Sequence, residues 1–367
     1  MALAIYRKYR PQKFSDVIGQ TLPVEILQNA ARLDKISHAY LFYGPRGTGK
    51  TTVARLLAKV ANCETRGKDE KFKRNGEPCN ECRPCKEIET GRGLDVVEID
   101  AASNRGIDEI RNIKEGIKLS PTLYKYKVFI IDEAHQLTKD AAAALLKTLE
   151  EPPAHAIFIL ATTDYDKLPA TITSRTQRLH FRRLPIPIIV EKLQKIVEDE
   201  KIQVEEEALK LIATSSEGSL RDAESLLDQV ISMGTDMRLE SIERIIGKVG
   251  FIRTSTLASY MMENDLEAAL EYLAEIQESG FNLVELAKDL IHYMRRTLAL
   301  KFDPNLAEVF KRELTADELK ELTKHSKFVS EKTIPILKSL IRAYSEMRYS
   351  PFPLIPLEVA IIENLKE

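Results

Sequence analysis

Gly44-Pro45-Arg46-Gly47-Thr48-Gly49-Lys50-Thr51 is a glycine, four free positions and then Gly-Lys-Thr. This pattern constrains the chain more than any other, because it works only between a buried strand and the first turn of a helix. The flanks supply that context: the apolar run Ala39–Tyr43 precedes it and the helix-compatible stretch Lys50–Val60 follows. Glycines let the backbone wrap an anion with its N–H groups turned inward, and the helix N-terminus adds partial positive charge. On this reading Gly44 to Thr51, with Thr52 behind, cradles the phosphates of a nucleotide. Lys50 reaches the β- and γ-phosphates, and the Thr51 hydroxyl faces Mg²⁺. A glycine-rich turn with no ligand is the plainer alternative, and the full motif in its context argues against it.

The rest of the first half suits such a loop. Short β-branched runs at Asp95–Asp100, Lys127–Asp132, Ala156–Thr162 and Gln177–Phe181 alternate with helical patterns over Ile107–Lys118 and Ala141–Glu150. Strands alternating with helices predict an α/β domain with a parallel sheet covered on both faces. Pro152-Pro153 stops the last of those helices. Leu184–Ile188, with prolines at 185 and 187, reads as a boundary. Helical patterns follow at Ile188–Glu200, Glu205–Ser216 and Ser219–Met233, with a shorter one at Leu239–Ile246. From Phe251 the chain is helical again, with one stripe of Leu266, Leu270 and Leu273 and another of Leu283, Ala287, Leu290, Met294 and Leu298. Such stripes predict core or subunit packing. The expected domains are 1–183, a small helical domain at 184–249 and an all-α domain at 250–367.

The run Lys127–Asp132 delivers an aspartate to the tip of a buried strand, where ligands sit in open α/β sheets. Asp132 is the expected magnesium ligand together with Thr51, and Glu133 the base that polarises an attacking water. Thr162 ends the neighbouring apolar strand, as a γ-phosphate sensor or a plain strand cap. Arg175, in Ser174-Arg175-Thr176, reads either as a surface salt bridge or as an arginine that reaches a neighbouring subunit's nucleotide. Ser219 is a plausible N-cap, and Arg221 in the first turn opposes the helix dipole, which favours an anion-binding role.

All four cysteines fall together: Cys63, Cys79, Cys82 and Cys85. Two-residue gaps let thiolates converge on one tetrahedral ion, and the polar segment around them has too few apolar residues to order itself by burial. Zinc is the expected ligand, with iron–sulfur ligation or a redox dithiol as alternatives. The net charge of −2 speaks against a dedicated DNA-coating protein, so any nucleic-acid contact is local or shared among subunits. Arg105 and Lys147 are candidates for it, or solvated surface charges. No apolar run is long enough to span a membrane. The opening MALAIYRKYRPQKF reads as part of the mature fold, so a cytoplasmic location is expected.

In their order, Gly44–Thr51, Asp132-Glu133-Ala134-His135, Thr162, Ser174-Arg175 and Arg221 resemble the motifs of AAA+ ATPases. Arg7-Lys8-Tyr9-Arg10-Pro11, then Phe14–Gln20, His38–Phe42 and Ala144–Pro153, narrow the resemblance to clamp-loader subunits. The cysteine insertion after the first helix of the nucleotide domain is similar to that of the bacterial DNA polymerase III gamma/tau family. The resemblance implies that Tyr9, Arg10 and Pro11 with Val17 and Ile18 line the adenine pocket. It also implies that Thr162 is sensor 1, Arg175 an arginine finger and Arg221 sensor 2 on a helical lid. Family loaders usually read Ser-Arg-Cys where this chain has Ser-Arg-Thr. The implied activity is ATP hydrolysis that opens a sliding clamp and loads it on primer–template DNA, within a hetero-pentamer of clamp-loader subunits belonging to the DNA polymerase III holoenzyme. The C-terminal domain would be the collar that assembles it. Another oligomeric AAA+ DNA motor, such as a branch-migration helicase, is the alternative.

Overall fold

The structure is a computed structural model that describes residues 3–103, 115–117, 119–232, 234, 242, 250–311, 314 and 316–366. The expected helices over Ile107–Lys118 and Leu239–Ile246 lie outside the described residues, except for helical 115–117 and Ile242, and so does Arg105. The chain divides into two compact units. One comprises residues 1–184 with 217–225, and the other residues 185–216 with 226–367.

The first unit is built on a five-stranded sheet of β1 (Ala39–Tyr43), β2 (Val96–Asp100), β3 (Lys127–Asp132), β4 (Ala156–Thr162) and β5 (Gln177–His180). Its order is β2-β3-β4-β1-β5, and all described pairings are parallel. Parallel sheets need both faces covered, and the side chains obey that rule. Tyr40, Phe42, Val128, Ile130, Ile157 and Ile159 join one core with the helices Thr21–Arg32 and Lys50–Asn62. Ala39, Leu41, Phe129, Ile131, Phe158 and Leu160 join another with the helix Lys139–Glu150. All seven residues of β4 are buried, whereas edge strand β2 has none.

Local chemistry moves three boundaries from their expected places. Asp95 precedes β2 rather than opening it, because its buried carboxylate accepts the N–H groups of Thr122, Leu123 and Tyr124 at 2.8, 2.7 and 2.9 Å. The helix expected from Ala141 starts at Lys139, since Thr138 Oγ1 accepts the Ala141 N–H and caps it. A helix begins at Ile186, within the stretch expected as a boundary, because Pro187 sits in its first turn, where no N–H is needed.

The second unit is helical. Its helices Ile186–Asp199 and Glu206–Ser215 pack together, and Phe251–Glu263, Leu266–Glu278, Leu283–Phe302, Ala316–His325, Thr333–Met347 and Leu354–Leu365 share a large apolar core. Of the expected stripes, Leu273, Leu283, Ala287, Leu290 and Met294 are buried, and Leu266 and Leu270 pack on the core partly buried. Asn282 caps the longest helix by accepting the N–H groups of Val284 and Glu285. No described helix is long and apolar enough to cross a membrane.

Phe158, fully buried, stacks on Phe129 with ring centroids 5.4 Å apart in the middle of the sheet. Phe158→Ala is expected to destabilise the first unit by about 3–5 kcal/mol, through lost burial and the cavity left behind. Urea denaturation followed by circular dichroism checks this, and a shift under about 1 kcal/mol would contradict the packing described.

Candidate nucleotide and metal sites

Parallel register brings the reactive tips together. Tyr43 at the end of β1 is level with Thr162 at the end of β4, and Ile131 of β3 is level with Leu160. The loop after β1 therefore lies beside the ends of β3 and β4. Gly44 takes φ +145°, and a Cβ there would fall 2.0 Å from the Phe181 carbonyl oxygen. Gly47 takes φ +72°, with a Cβ position 1.8 Å from Ser219 Oγ. The loop is thus pressed between the end of β5 and the segment 217–225, at a distance only glycine permits.

Lys50 is nearly buried and donates to the Gly44 and Pro45 carbonyls, both at 2.8 Å. Burial holds its pKa below the usual lysine value, against the pull of Glu133 and Asp132. Thr51 Oγ1 donates to Asp132 Oδ2 at 2.6 Å, joining the first turn of the helix to the tip of β3. A hydroxyl and a carboxylate this close are the oxygen donors a hard divalent cation takes. Glu133 has φ 48° and ψ 44°, a left-handed backbone that costs a non-glycine residue about 1–3 kcal/mol. Its Oε2 accepts from Thr163 Oγ1 at 2.9 Å and from the Thr163 N–H at 3.3 Å, and lies 3.3 Å from His135 Nδ1. Thr162 is fully buried; its Oγ1 meets His135 Nδ1 at 3.0 Å and accepts the Asp164 N–H at 3.1 Å.

Sequence reasoning passed over Thr163 and gave His135 no task. Thr162 is marked by its place at the tip of an apolar strand, whereas Thr163 lies just beyond that strand, where the pattern says nothing.

Ser219 Oγ accepts the Asp222 N–H at 3.3 Å, as an N-cap does. Arg221 lies within the first unit, with its guanidinium 5.2 Å from the Tyr6 ring centroid. Tyr9, Arg10, Pro11, Val17 and Ile18 are all half-buried. Arg10 is held below its usual pKa by burial and then by the charge of Arg55. Arg46 is exposed, and Thr48 Oγ1 donates to the Pro45 carbonyl at 2.8 Å. Arg175 is half-buried and bound within its own chain. It pairs with Glu150 at 2.7 Å and donates to the Thr171 carbonyl at 2.8 Å. Thr176 donates to the carbonyls of Ile172 and Thr173. Lys147 is exposed on the helix Lys139–Glu150.

The sulfurs of Cys63, Cys79, Cys82 and Cys85 lie within 4.8 Å of one another. Sulfurs on a tetrahedral zinc stand roughly 3.8 Å apart, so the cluster fits that ion with little adjustment. The Glu81 and Cys82 N–H groups point at Cys79 Sγ from 3.4 and 3.3 Å, and the hydrogen bond between Cys63 and Cys85 lowers the Cys63 thiol while raising that of Cys85. The two N–H groups favour a thiolate at Cys79.

Comparison with known proteins bears on the whole chain. Family models described as DNA polymerase III, delta subunit, as the clamp loader subunit ATPase lid domain, and as subunits gamma and tau domain III match residues 19–185, 188–236 and 237–366. The DNA polymerase III subunit gamma of Buchnera aphidicola subsp. Schizaphis graminum is 34% identical over 98% of this chain and 97% of its own length. The chain belongs to the DNA polymerase III gamma/tau family. The subunit tau of Bacillus subtilis is 44% identical over 98% of this chain, and that of Escherichia coli 40% identical over 81%. The chain spans 62% and 45% of the length of those two tau subunits. Among solved structures, the Thermotoga maritima RuvB Holliday junction branch migration motor aligns over 70% of this chain and 80% of its own, at 19% identity and a TM-score of 0.47. The family fits the α/β architecture described, with its parallel sheet, helical segments and cysteine cluster.

If the loop is the anion cradle, Gly47→Ala is expected to weaken binding of an adenine nucleotide by more than about tenfold, because the methyl group strains the backbone and collides with Ser219. Calorimetric titration checks this, and an unchanged affinity would move the anion site elsewhere.

Proposed function

We propose that the chain is the ATP-driven motor subunit of a DNA polymerase III clamp loader, hydrolysing ATP at subunit interfaces to open a sliding clamp and load it on primed DNA. The observation that carries this is the convergence of the phosphate loop, Asp132 and Glu133 on one end of the sheet, in a chain of the gamma/tau family. In this reading the N–H groups of Gly44–Thr51 and the Lys50 ammonium hold the β- and γ-phosphates. Thr51 and Asp132 hold Mg²⁺, which when bound neutralises phosphate charge. Glu133 orients the attacking water, and Thr163 holds its carboxylate until a nucleotide and water compete for it. Thr162 senses the γ-phosphate, with His135 bridging it to Glu133. Arg221 contacts the same phosphates from the segment beside Gly47, and Tyr9–Pro11 with Val17 and Ile18 enclose the adenine.

Arg175 serves a neighbour's nucleotide, exchanging its pairing with Glu150 for the phosphate. The four cysteines hold a structural zinc with no position left for water. Residues 1–183 form the ATPase domain, 184–249 the lid and 250–367 the collar that joins the other subunits of a hetero-pentamer. Location is cytoplasmic. Lys147 and Arg105 are candidates for tracking the DNA backbone, which five near-neutral subunits share.

The test is ATP hydrolysis by the complex reconstituted with its partner subunits, with and without clamp and primed DNA. Clamp- and DNA-stimulated hydrolysis is expected, falling by about 10³-fold in Arg175→Ala. Hydrolysis indifferent to the clamp would instead favour another oligomeric AAA+ DNA motor. Zinc is checked separately: mercurial titration of the thiols is expected to release one zinc ion per chain, and Cys82→Ser to lose it.

A further inference from the structure

The cysteine module is tied to the segment between the two halves of the proposed adenine pocket. Glu77, in the loop before Cys79, uses both carboxylate oxygens as a cap. Oε2 accepts the Phe14 N–H at 2.7 Å and Oε1 the Ser15 N–H at 2.9 Å, while Gln28 Nε2 donates to Oε1 at 2.8 Å. Asn80, inside the Cys79–Cys82 turn, donates from Nδ2 to the Gln12 carbonyl at 3.0 Å. A third tie comes from the helix that the phosphate loop opens. The Lys59 ammonium, on a residue only 2% exposed, donates to Gln12 Oε1 at 2.6 Å, Asn80 Oδ1 at 3.2 Å and Glu89 Oε2 at 3.3 Å. A buried ammonium is tolerated only when its donors are met, so these partners are held together strongly.

The geometry links this junction to the sulfur cluster. Cys63 caps the C-terminal end of the helix Lys50–Asn62, whose other end carries the phosphate loop. Asn80 has φ +59°, in the turn whose next two N–H groups point at Cys79 Sγ. The turn that gathers the sulfurs therefore also aims the Asn80 amide at Gln12. Residues 12–16 separate Tyr9-Arg10-Pro11 from Val17-Ile18, so whatever fixes them fixes both halves of that wall.

We propose that the four-cysteine module is a clasp that positions the purine-facing wall of the nucleotide site against the phosphate-loop helix, with Glu77 and Asn80 as its positioning residues. This rests on the reading of Tyr9–Pro11 and Val17–Ile18 as that wall. The phosphate loop has its own supports in Phe181, Ser219 and Asp132. Loosening the clasp therefore weakens recognition of the nucleoside and leaves recognition of the polyphosphate intact.

The experiment titrates the full chain with ATP and, separately, with inorganic tripolyphosphate by calorimetry, beside a zinc determination. Asn80→Gly keeps the positive φ accessible and deletes the amide; Glu77→Ala deletes the cap; Glu77→Gln restores part of it. Asn80→Gly and Glu77→Ala are expected to keep one zinc per chain, bind ATP about tenfold more weakly through lost preorganisation, and bind tripolyphosphate within about twofold of the parent. Glu77→Gln is expected to recover part of the ATP affinity. Unchanged ATP affinity in both zinc-loaded variants overturns the clasp, and so does an equal loss for ATP and tripolyphosphate, which marks general destabilisation. Two controls separate failures of the underlying reading. Lys50→Ala that binds both ligands normally removes the nucleotide site itself, and Tyr9→Ala that binds ATP normally removes the purine wall. Either result overturns the proposal from beneath.

Discussion

Tyr43 and Thr162 stand opposite each other in the β1–β4 ladder, and Ile131 and Leu160 in the β3–β4 ladder. The site depends on that register. Moving β4 by one residue would turn Phe158 and Leu160 to the wrong face and take Thr162 away from the loop. Burial of every residue of β4 makes such a slip costly. The hydrogen bond from Thr51 to Asp132 then joins two tips that the ladder has already brought level. Packing energy in the sheet is thus what holds the polar groups in place, and the polar groups need little energy of their own.

Two features at the tips carry a cost that the packing must offset. Lys50 is nearly buried with its ammonium turned back onto its own loop, and Glu133 keeps a left-handed backbone. The Lys50 ammonium would find better partners in a polyphosphate. Phosphate oxygens are stronger acceptors for an ammonium than two carbonyls are. The Thr163 contacts hold the Glu133 carboxylate in one place without closing it off, because the side chain remains half-exposed. Strain and imperfect pairing concentrate where a ligand would relieve them.

What the amino-acid order made legible follows from periodicity and motif. Strands are readable as short continuous apolar runs, because neighbours such as Tyr40 and Leu41 enter opposite cores and both faces are covered. The phosphate loop was readable because glycine is the only residue that fits at Gly44 and Gly47, so the constraint is written in the residue type. The four cysteines were readable for the same reason. Contacts made by common polar residues across long separations were not. Glu77 and Phe14 are 63 positions apart, and nothing local distinguishes this glutamate from its many neighbours of like charge. Asp95 was taken for strand because its capping partners lie 27 to 29 residues further on.

Arg175 is tied into its own subunit by three contacts. Its guanidinium is on the surface and paired with Glu150, away from the Lys50–Asp132 cluster of its own chain in every described contact. A partly exposed pair of this kind contributes little to stability, about 0–1 kcal/mol. The same contacts also restrict the guanidinium's freedom. Glu150 holds a flexible side chain in one place, which lowers the entropy lost when the guanidinium meets a new anion.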